Sequence, residues 1–187
     1  MATQLHTAAV VYGPGDDADA ALAAAVQVLR QSGRTVGGLL QRFGAQIAAC
    51  KREMLLQVLL DDETIQLNDP RGPGVQGCIL DTDALARATM AFRVAVENRP
   101  DLLLASRFGK EEVAGGGLRH EMAEALIAGI PLLVPMRVAT LPAWNAFLGG
   151  PGEVLAPQVD AILAWAAGHC PSRTTWAERR AAAETSR

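Results

Sequence analysis

The sequence predicts an α/β protein with three layers, in which helices cover both faces of a mainly parallel β-sheet. Short, continuous apolar runs alternate with helix-like segments along most of the 187 residues, as is typical of buried parallel strands in such folds. Two further strand-like segments, near residues 50–70, predict a small antiparallel hairpin added to that sheet. The length suits one domain, which we expect to span residues 1–170, followed by a polar tail at 171–187.

The chain begins with a β-α-β unit. An apolar strand is expected at 5–12, a helix at 18–31 and a second strand at 35–42, with Gly13-Pro14-Gly15 as the first turn and Gly33 as the end of the helix. The crossover of this unit should be right-handed.

The rest of the chain continues the alternation. Strand-like segments at 54–60 and 64–67 flank Asp61-Asp62, which predicts the hairpin, and Asp81 is expected to cap a helix that runs to about Asn98. The later elements are predicted as strands at 102–106 and 130–136 and helices at 118–128, 142–147 and 157–167.

Composition and net charge limit the kinds of partner that we expect for this protein. A net charge of −3 gives no electrostatic reason to expect nucleic acid or an anionic membrane as partner. No signal peptide or membrane-spanning stretch is visible. The three cysteines (Cys50, Cys78 and Cys170) lie far apart, which suits reduced thiols in the cytoplasm.

The turn after the first strand resembles a phosphate-binding loop without its key groups. The loop pattern G-x-x-x-x-G-K-[ST] places a lysine and a hydroxyl on the nucleotide phosphates and Mg²⁺, whereas this chain has GPGDDADA. Asp16, Asp17 and Asp19 stand there instead. They either cap the following helix or bind a cation or a metal-bound oxyanion.

Basic side chains follow several predicted strands at their carboxyl ends, where ligands bind in such sheets. They are Arg42, Arg107, Lys110 and Arg137. Either they converge on an anion, for which arginine is well suited, or they are solvated and paired with nearby carboxylates. Arg119, at the start of a helix, opposes the helix dipole and needs a partner such as Glu112 or a ligand.

Metal-binding and catalytic signatures are missing. His6, His120 and His169 are scattered, and no spacing typical of a zinc site or of a nucleophilic enzyme appears. We therefore assign no catalytic residue and leave metal content open. Cys78 is interpreted as a small buried residue, with a reactive or ligand role as the alternative.

The segment Ser106–Glu112 (SRFGKEE) resembles the acidic D-E-x-G-K-x-E motif of small P-loop nucleoside-triphosphatases and of nucleotide-binding accessory proteins of molybdopterin synthesis. Gly109, Lys110 and Glu112 match, while Ser106 and Arg107 replace the two acids that would handle Mg²⁺ and water. The resemblance implies a P-loop-NTPase-like fold in which nucleotide hydrolysis is not expected.

Residues 5–150 are also similar to a bacterial family of unassigned function linked to molybdenum-related genes. The similarity rests on the strand with its Gly-Asp turn, on GLLQR (38–42), CILD (78–81) and the run from Arg107 to Glu121. It implies a small anionic ligand, with molybdate or another oxyanion ahead of a nucleotide.

The sequence therefore predicts a non-hydrolysing protein that binds an oxyanion or a phosphate-bearing small molecule. The alternatives are a protein-binding scaffold with a relic nucleotide fold, a homo-oligomer among them, or a weak NTPase. The expected ligand-binding residues are Gly13, Gly15, Arg42, Arg107, Gly109, Lys110 and Arg119.

Overall fold

The computed structural model describes residues 5–48, 51–68 and 81–170. Within them a seven-stranded sheet has the order β4-β3-β2-β5-β6-β1-β7. The strands are β1 (Thr7–Tyr12), β2 (Val36–Ala48), β3 (Lys51–Val58), β4 (Thr64–Gln66), β5 (Leu102–Leu104), β6 (Leu132–Arg137) and β7 (Glu153–Leu155). The helices are α1 (Ala18–Gln31), α2 (Thr82–Glu97), α3 (Lys110–Val113), α4 (Arg119–Ile127), α5 (Leu141–Leu148) and α6 (Val159–His169), with a 3-10 turn at Val138–Thr140.

The predicted three-layer α/β fold is confirmed. Strand β1 pairs in parallel with β6 and β7, and β5 pairs in parallel with β2 and β6. Apolar residues of α1 and α6 pack on one face of the sheet, while α2, α4 and α5 pack on the other. Both faces of the central strands are therefore buried, which explains their continuous apolar sequences.

Helix α1 spans the predicted range because its ends carry clear signals. Asp17 is its N-cap and accepts a hydrogen bond from the backbone N–H of Ala20 (2.9 Å). The chain leaves the helix through Gly33, whose φ of 81° suits glycine. Helix α2 is likewise capped by Asp81, as predicted.

The predicted hairpin is present as β3 and β4, which pair antiparallel. Strand β2 is longer than the predicted 35–42: its first three residues pair with β5, and the remainder pairs antiparallel with β3. The change of partner occurs at Gly38 (φ 97°), where a Cβ atom would overlap the carbonyl group of Leu104. Glycine is therefore required at this point of the strand.

Two elements differ from the prediction. Helix α3 forms where a loop was expected, and β7 adds an edge strand beside β1. Strand β7 has three residues and an exposed Val154, so it lacks the alternating pattern by which a strand is recognised from sequence. Its position depends on pairing with β1.

Several sequence interpretations lie outside the described residues, namely those on Cys50, Cys78 and the tail at 171–187. Cys170 is described and buried, and burial raises the pKa of its thiol to about 11. Across the described ranges, no helix is both long and apolar enough to cross a membrane.

Candidate functional site

The sheet order brings the loop after β1 and the segment after β5 to the same edge. Strand β6 lies between β5 and β1, and the backbone N–H of Phe108 donates to the carbonyl oxygen of Pro135 on β6 (3.0 Å). Arg107, which follows β5 in the sequence, therefore lies beside β6. Its side chain extends to Tyr12, the last residue of β1.

The guanidinium group of Arg107 forms a part-buried cluster with the side chains of Tyr12 and Asp19. Its Nη1 donates to the hydroxyl oxygen of Tyr12 (2.6 Å), and its Nη2 donates to both carboxylate oxygens of Asp19 (3.0 and 2.9 Å). The guanidinium carbon lies 5.1 Å from the centre of the Tyr12 ring. The Nε atom is buried and has no hydrogen-bond partner in the described structure.

The Asp19 carboxylate is held in an unfavourable position despite its cation. Burial raises the pKa of Asp19 above its usual 3.8, and this effect exceeds the lowering caused by the Arg107 guanidinium and its hydrogen bonds. The side chains of Arg107 and Asp19 are only 26% and 16% exposed. The pair is thus largely desolvated, so breaking it matters more than for a surface ion pair.

Two carboxylates of the loop, those of Asp16 and Asp17, accept hydrogen bonds from nearby backbone N–H groups. Asp16 accepts from the N–H of Gly13 (2.8 Å), and Asp17 caps α1. The capping interpretation therefore holds for Asp17, whereas Asp19 is turned to Arg107. Gly15 has a φ of 92°, which suits the turn. The N–H of Gly13 and that of Ala20 are occupied by carboxylates and are not free for a phosphate.

Alignment with the phosphate-loop pattern shows a reversal of charge. Counted from Gly13, the eight residues GPGDDADA place Ala18 at the second glycine, Asp19 at the lysine and Ala20 at the hydroxyl residue. Helix α1 begins at Ala18, as expected for that register. An acid thus takes the lysine position, and Arg107 follows β5 where the resembling motif has an acid.

The second glycine segment is organised around a buried acid. Glu112 accepts from the N–H of Gly109 (2.8 Å) and from the N–H of Leu118 (3.1 Å), which fixes α3 against the start of α4. Gly117 has a φ of 57°, and a Cβ atom there would overlap the Glu112 carboxylate. Gly109 therefore contributes its N–H to this internal cap in the described arrangement.

The remaining predicted cations are dispersed. Arg119 donates to the backbone carbonyl oxygen of Glu112 (3.0 Å), and its guanidinium carbon lies 4.9 Å from the Phe147 ring centre. Glu112 is therefore its partner, through the backbone carbonyl group and not through the carboxylate. Lys110 and Arg137 are exposed. Neither side chain has a polar partner among the residues described.

Arg42 is not brought to this cluster. Its Nε donates to Gln57 (2.7 Å) on the β2–β3 hairpin. Strand β2 is three strand positions from β1 in the sheet order, roughly 14 Å at the usual spacing between strands. The structure thus places Arg107 against Tyr12 and Asp19, which flank the loop of Gly13 and Gly15. It places Gly109, Lys110 and Arg119 around α3 and leaves Arg42 apart.

Sequence reasoning missed Tyr12 as a member of the cluster, and it left Asp19 between a capping role and the binding of a cation or a metal-bound oxyanion. Tyr12 is the single tyrosine of the chain and ends a buried strand beside the glycine turn, which was a usable signal. Asp19 occupies the lysine position of the loop pattern, and that register was the second signal. In the ranges that the structure describes, no group of three or more His, Cys, Asp or Glu side chains is placed to hold a metal.

The three-layer α/β fold is like that of P-loop NTPases, and the loop after β1 lacks the lysine and the hydroxyl residue of the phosphate-loop pattern. A solved structure with this fold is the solution structure of a human cancer-related nucleoside triphosphatase, which matches with a TM-score of 0.57 and 17% sequence identity. The match covers 82% of this chain and 88% of that one.

The chain belongs to the DUF2478 family, described as proteins of unknown function, which it matches over residues 7–165. It is also 37% identical over 160 residues to the molybdenum import ATP-binding protein ModC 2 of Bradyrhizobium diazoefficiens. This match covers 86% of the chain but only 18% of that longer relative.

Proposed function

We propose that this protein binds a small oxyanion or a phosphate-bearing small molecule at Arg107 and does not hydrolyse it. One observation carries the proposal: a carboxylate, that of Asp19, already lies on the Arg107 guanidinium at the mouth of the glycine loop. A part-buried position that holds one anion against a cation is suited to hold another.

The donors around Arg107 support an oxyanion. A guanidinium presents its N–H groups as a planar fork that matches phosphate and similar oxyanions, and the Nε–H of Arg107 has no hydrogen-bond partner among the residues that the structure describes. The hydroxyl oxygen of Tyr12 accepts from Arg107, so its own proton is available to donate to a ligand oxygen. The exposed Lys110 adds positive charge to the segment after β5.

We do not expect nucleotide hydrolysis, because the groups that stabilise phosphoryl transfer are replaced in this chain. The transferred phosphoryl group needs cations and Mg²⁺ ligands to stabilise its developing charge. At the loop, Asp19 and Ala20 stand in place of the lysine and the hydroxyl residue. Asp16 and Asp17 also place negative charge beside any bound triphosphate.

The first candidate ligand is molybdate, with phosphate and phosphate monoesters next. The relative from Bradyrhizobium diazoefficiens is named as a molybdenum import ATP-binding protein. This chain spans less than a fifth of that protein, so its ATP-dependent activity does not transfer with the similarity. Molybdenum, the element in the name of that relative, forms the oxyanion molybdate, which is of the chemical class that an arginine site accommodates.

Calorimetric titration with molybdate, tungstate, phosphate and AMP tests the proposal. We expect saturable binding of at least one of these anions, and its loss in Arg107→Ala. Arg87→Ala is the matched control, because Arg87 is an exposed arginine on α2 with no polar partner in the described chain. Absence of binding to the whole panel, or equal affinity in Arg107→Ala, would contradict the proposal.

A protein-binding scaffold with a relic nucleotide fold is the second candidate. It is favoured by the engagement of Arg107 within the molecule, since a relic site needs only internal partners. The same titrations separate the two functions, because a scaffold shows no anion binding that depends on Arg107.

A further inference from the structure

We infer that Asp19 is a built-in competitor of the ligand, a carboxylate that occupies Arg107 until a stronger oxyanion displaces it. The inference rests on the proposed function and adds to it a selectivity for dianionic oxyanions over simple carboxylates. Three observations on the cluster carry it.

The first observation is the position of Asp19 in the loop pattern. Asp19 stands at the lysine position of the loop pattern, in the first turn of α1. In a phosphate loop this residue faces the ligand, so a side chain here is directed to the place where the anion lies. Asp19 is therefore placed to take part in the site, whereas Asp16 and Asp17 are bound to the loop backbone.

The second is geometry. Both oxygens of Asp19 accept from the same nitrogen of Arg107, Nη2, while Nε has no partner in the described part of the chain. A carboxylate that used the guanidinium as a fork would engage two nitrogens. Asp19 thus leaves donor capacity unused, and an unpaired buried N–H is unfavourable. A ligand that engages two nitrogens improves on this arrangement.

The third is the environment of the carboxylate. Asp19 is largely buried, and the adjacent Asp17 repels it. Displacement by a ligand releases Asp19 toward solvent, where its charge is better stabilised. Part of the energy lost with the ion pair is thereby recovered, so exchange for an external anion is feasible.

Competition of this kind sets a threshold for binding. The apparent dissociation constant equals the intrinsic one divided by the fraction of molecules in which Arg107 is free. If the pair is formed about nine-tenths of the time, apparent affinity falls about tenfold. A dianion such as phosphate or molybdate gains more from Arg107 than a monoanion does, so the threshold selects against acetate and similar carboxylates.

The test compares Asp19→Asn with Asp17→Asn by titration with phosphate, molybdate and acetate. Both variants remove one negative charge from the loop, and asparagine still caps α1 at position 17. We expect about tenfold tighter oxyanion binding in Asp19→Asn, measurable acetate binding there, and a much smaller change in Asp17→Asn. Unchanged or weaker binding in Asp19→Asn, or equal gains in both variants, would overturn the inference.

A ligand-free measurement separates this inference from the proposed function. Phenylglyoxal modifies accessible arginines, and mass spectrometry reports the extent at Arg107. Faster modification in Asp19→Asn than in Asp17→Asn, with cooperative thermal unfolding retained, establishes that Asp19 occludes Arg107. If this holds but no anion binds either variant, the proposed function fails and the competitor role fails with it. If wild type binds an anion and Asp19→Asn binds no tighter, only the competitor role fails.

Discussion

At the scale of single residues, two exchanged charges, at Asp19 and Arg107, determine the chemistry that we expect of the site. Arg107 is placed where the resembling motif has an acid, and Asp19 where the loop pattern has a lysine. Their side chains meet at 2.9 Å. A pair of reversed charges preserves internal neutrality while removing the cation that a nucleoside triphosphate requires at α1. The reversal therefore accounts for the ion pair between Arg107 and Asp19 and for the expected lack of hydrolysis.

The raised pKa of Asp19 makes a prediction about stability and pH. Because the native state binds the Asp19 proton more tightly than the unfolded chain does, wild type gains stability as the pH falls through the raised pKa toward 3.8. Asp19→Asn has no such group. The difference in free energy of unfolding, wild type minus Asp19→Asn, should therefore increase in acid. Urea denaturation at a series of pH values measures this difference.

The opposite slope would show that Arg107 dominates the titration. In that case the ion pair would lower the pKa of Asp19, and wild type would lose stability relative to Asp19→Asn as the pH falls. A flat difference would mean that the Asp19 pKa is equal in the native and unfolded states.

At the scale of secondary structure elements, local signals explain which predictions succeeded. Helices α1 and α2 begin at aspartate caps, so their limits are visible in the sequence. The extension of β2 and the existence of β7 depend on partners distant in sequence. Helix α3 has four residues and is held by Glu112, a contact that spacing alone does not reveal.

Glu112 is predicted to stabilise the α3 and α4 segment through both carboxylate oxygens. Glu112→Gln leaves one oxygen and introduces an NH₂ group opposite a backbone N–H. We expect a loss of about 1–3 kcal/mol in the free energy of unfolding, the usual penalty for a buried donor without a partner. Denaturant unfolding provides the measurement.

Glu111→Gln is the matched control for this change, because Glu111 is the exposed neighbour of Glu112 in the same helix. It should change stability by no more than about 0.5 kcal/mol, as surface substitutions usually do. Equal effects of the two substitutions would show that Glu112 does not act through its buried hydrogen bonds.

At the scale of the whole molecule, the sequence was sufficient for the fold class but not for the site. Apolar runs and capped helices predict an α/β sheet with a hairpin, and this is confirmed. The strand order β5-β6-β1 is not encoded in any local pattern, yet it alone determines that Arg107 meets Tyr12 and Asp19. It also separates Arg42, which sequence reasoning grouped with Arg107, because β2 lies at a distance in the same sheet.

The most direct test of the account is the NMR signal of the Arg107 Nε–H during titration of the wild-type protein with molybdate or phosphate. This group has no hydrogen-bond partner among residues 5–48, 51–68 and 81–170, and assignment by comparison with Arg107→Lys identifies its resonance. We predict a saturable shift of this resonance that gives the same dissociation constant as calorimetry. The claim that Arg107 holds the ligand would be contradicted if calorimetry detected anion binding while this resonance did not move. It would also be contradicted if neither anion bound.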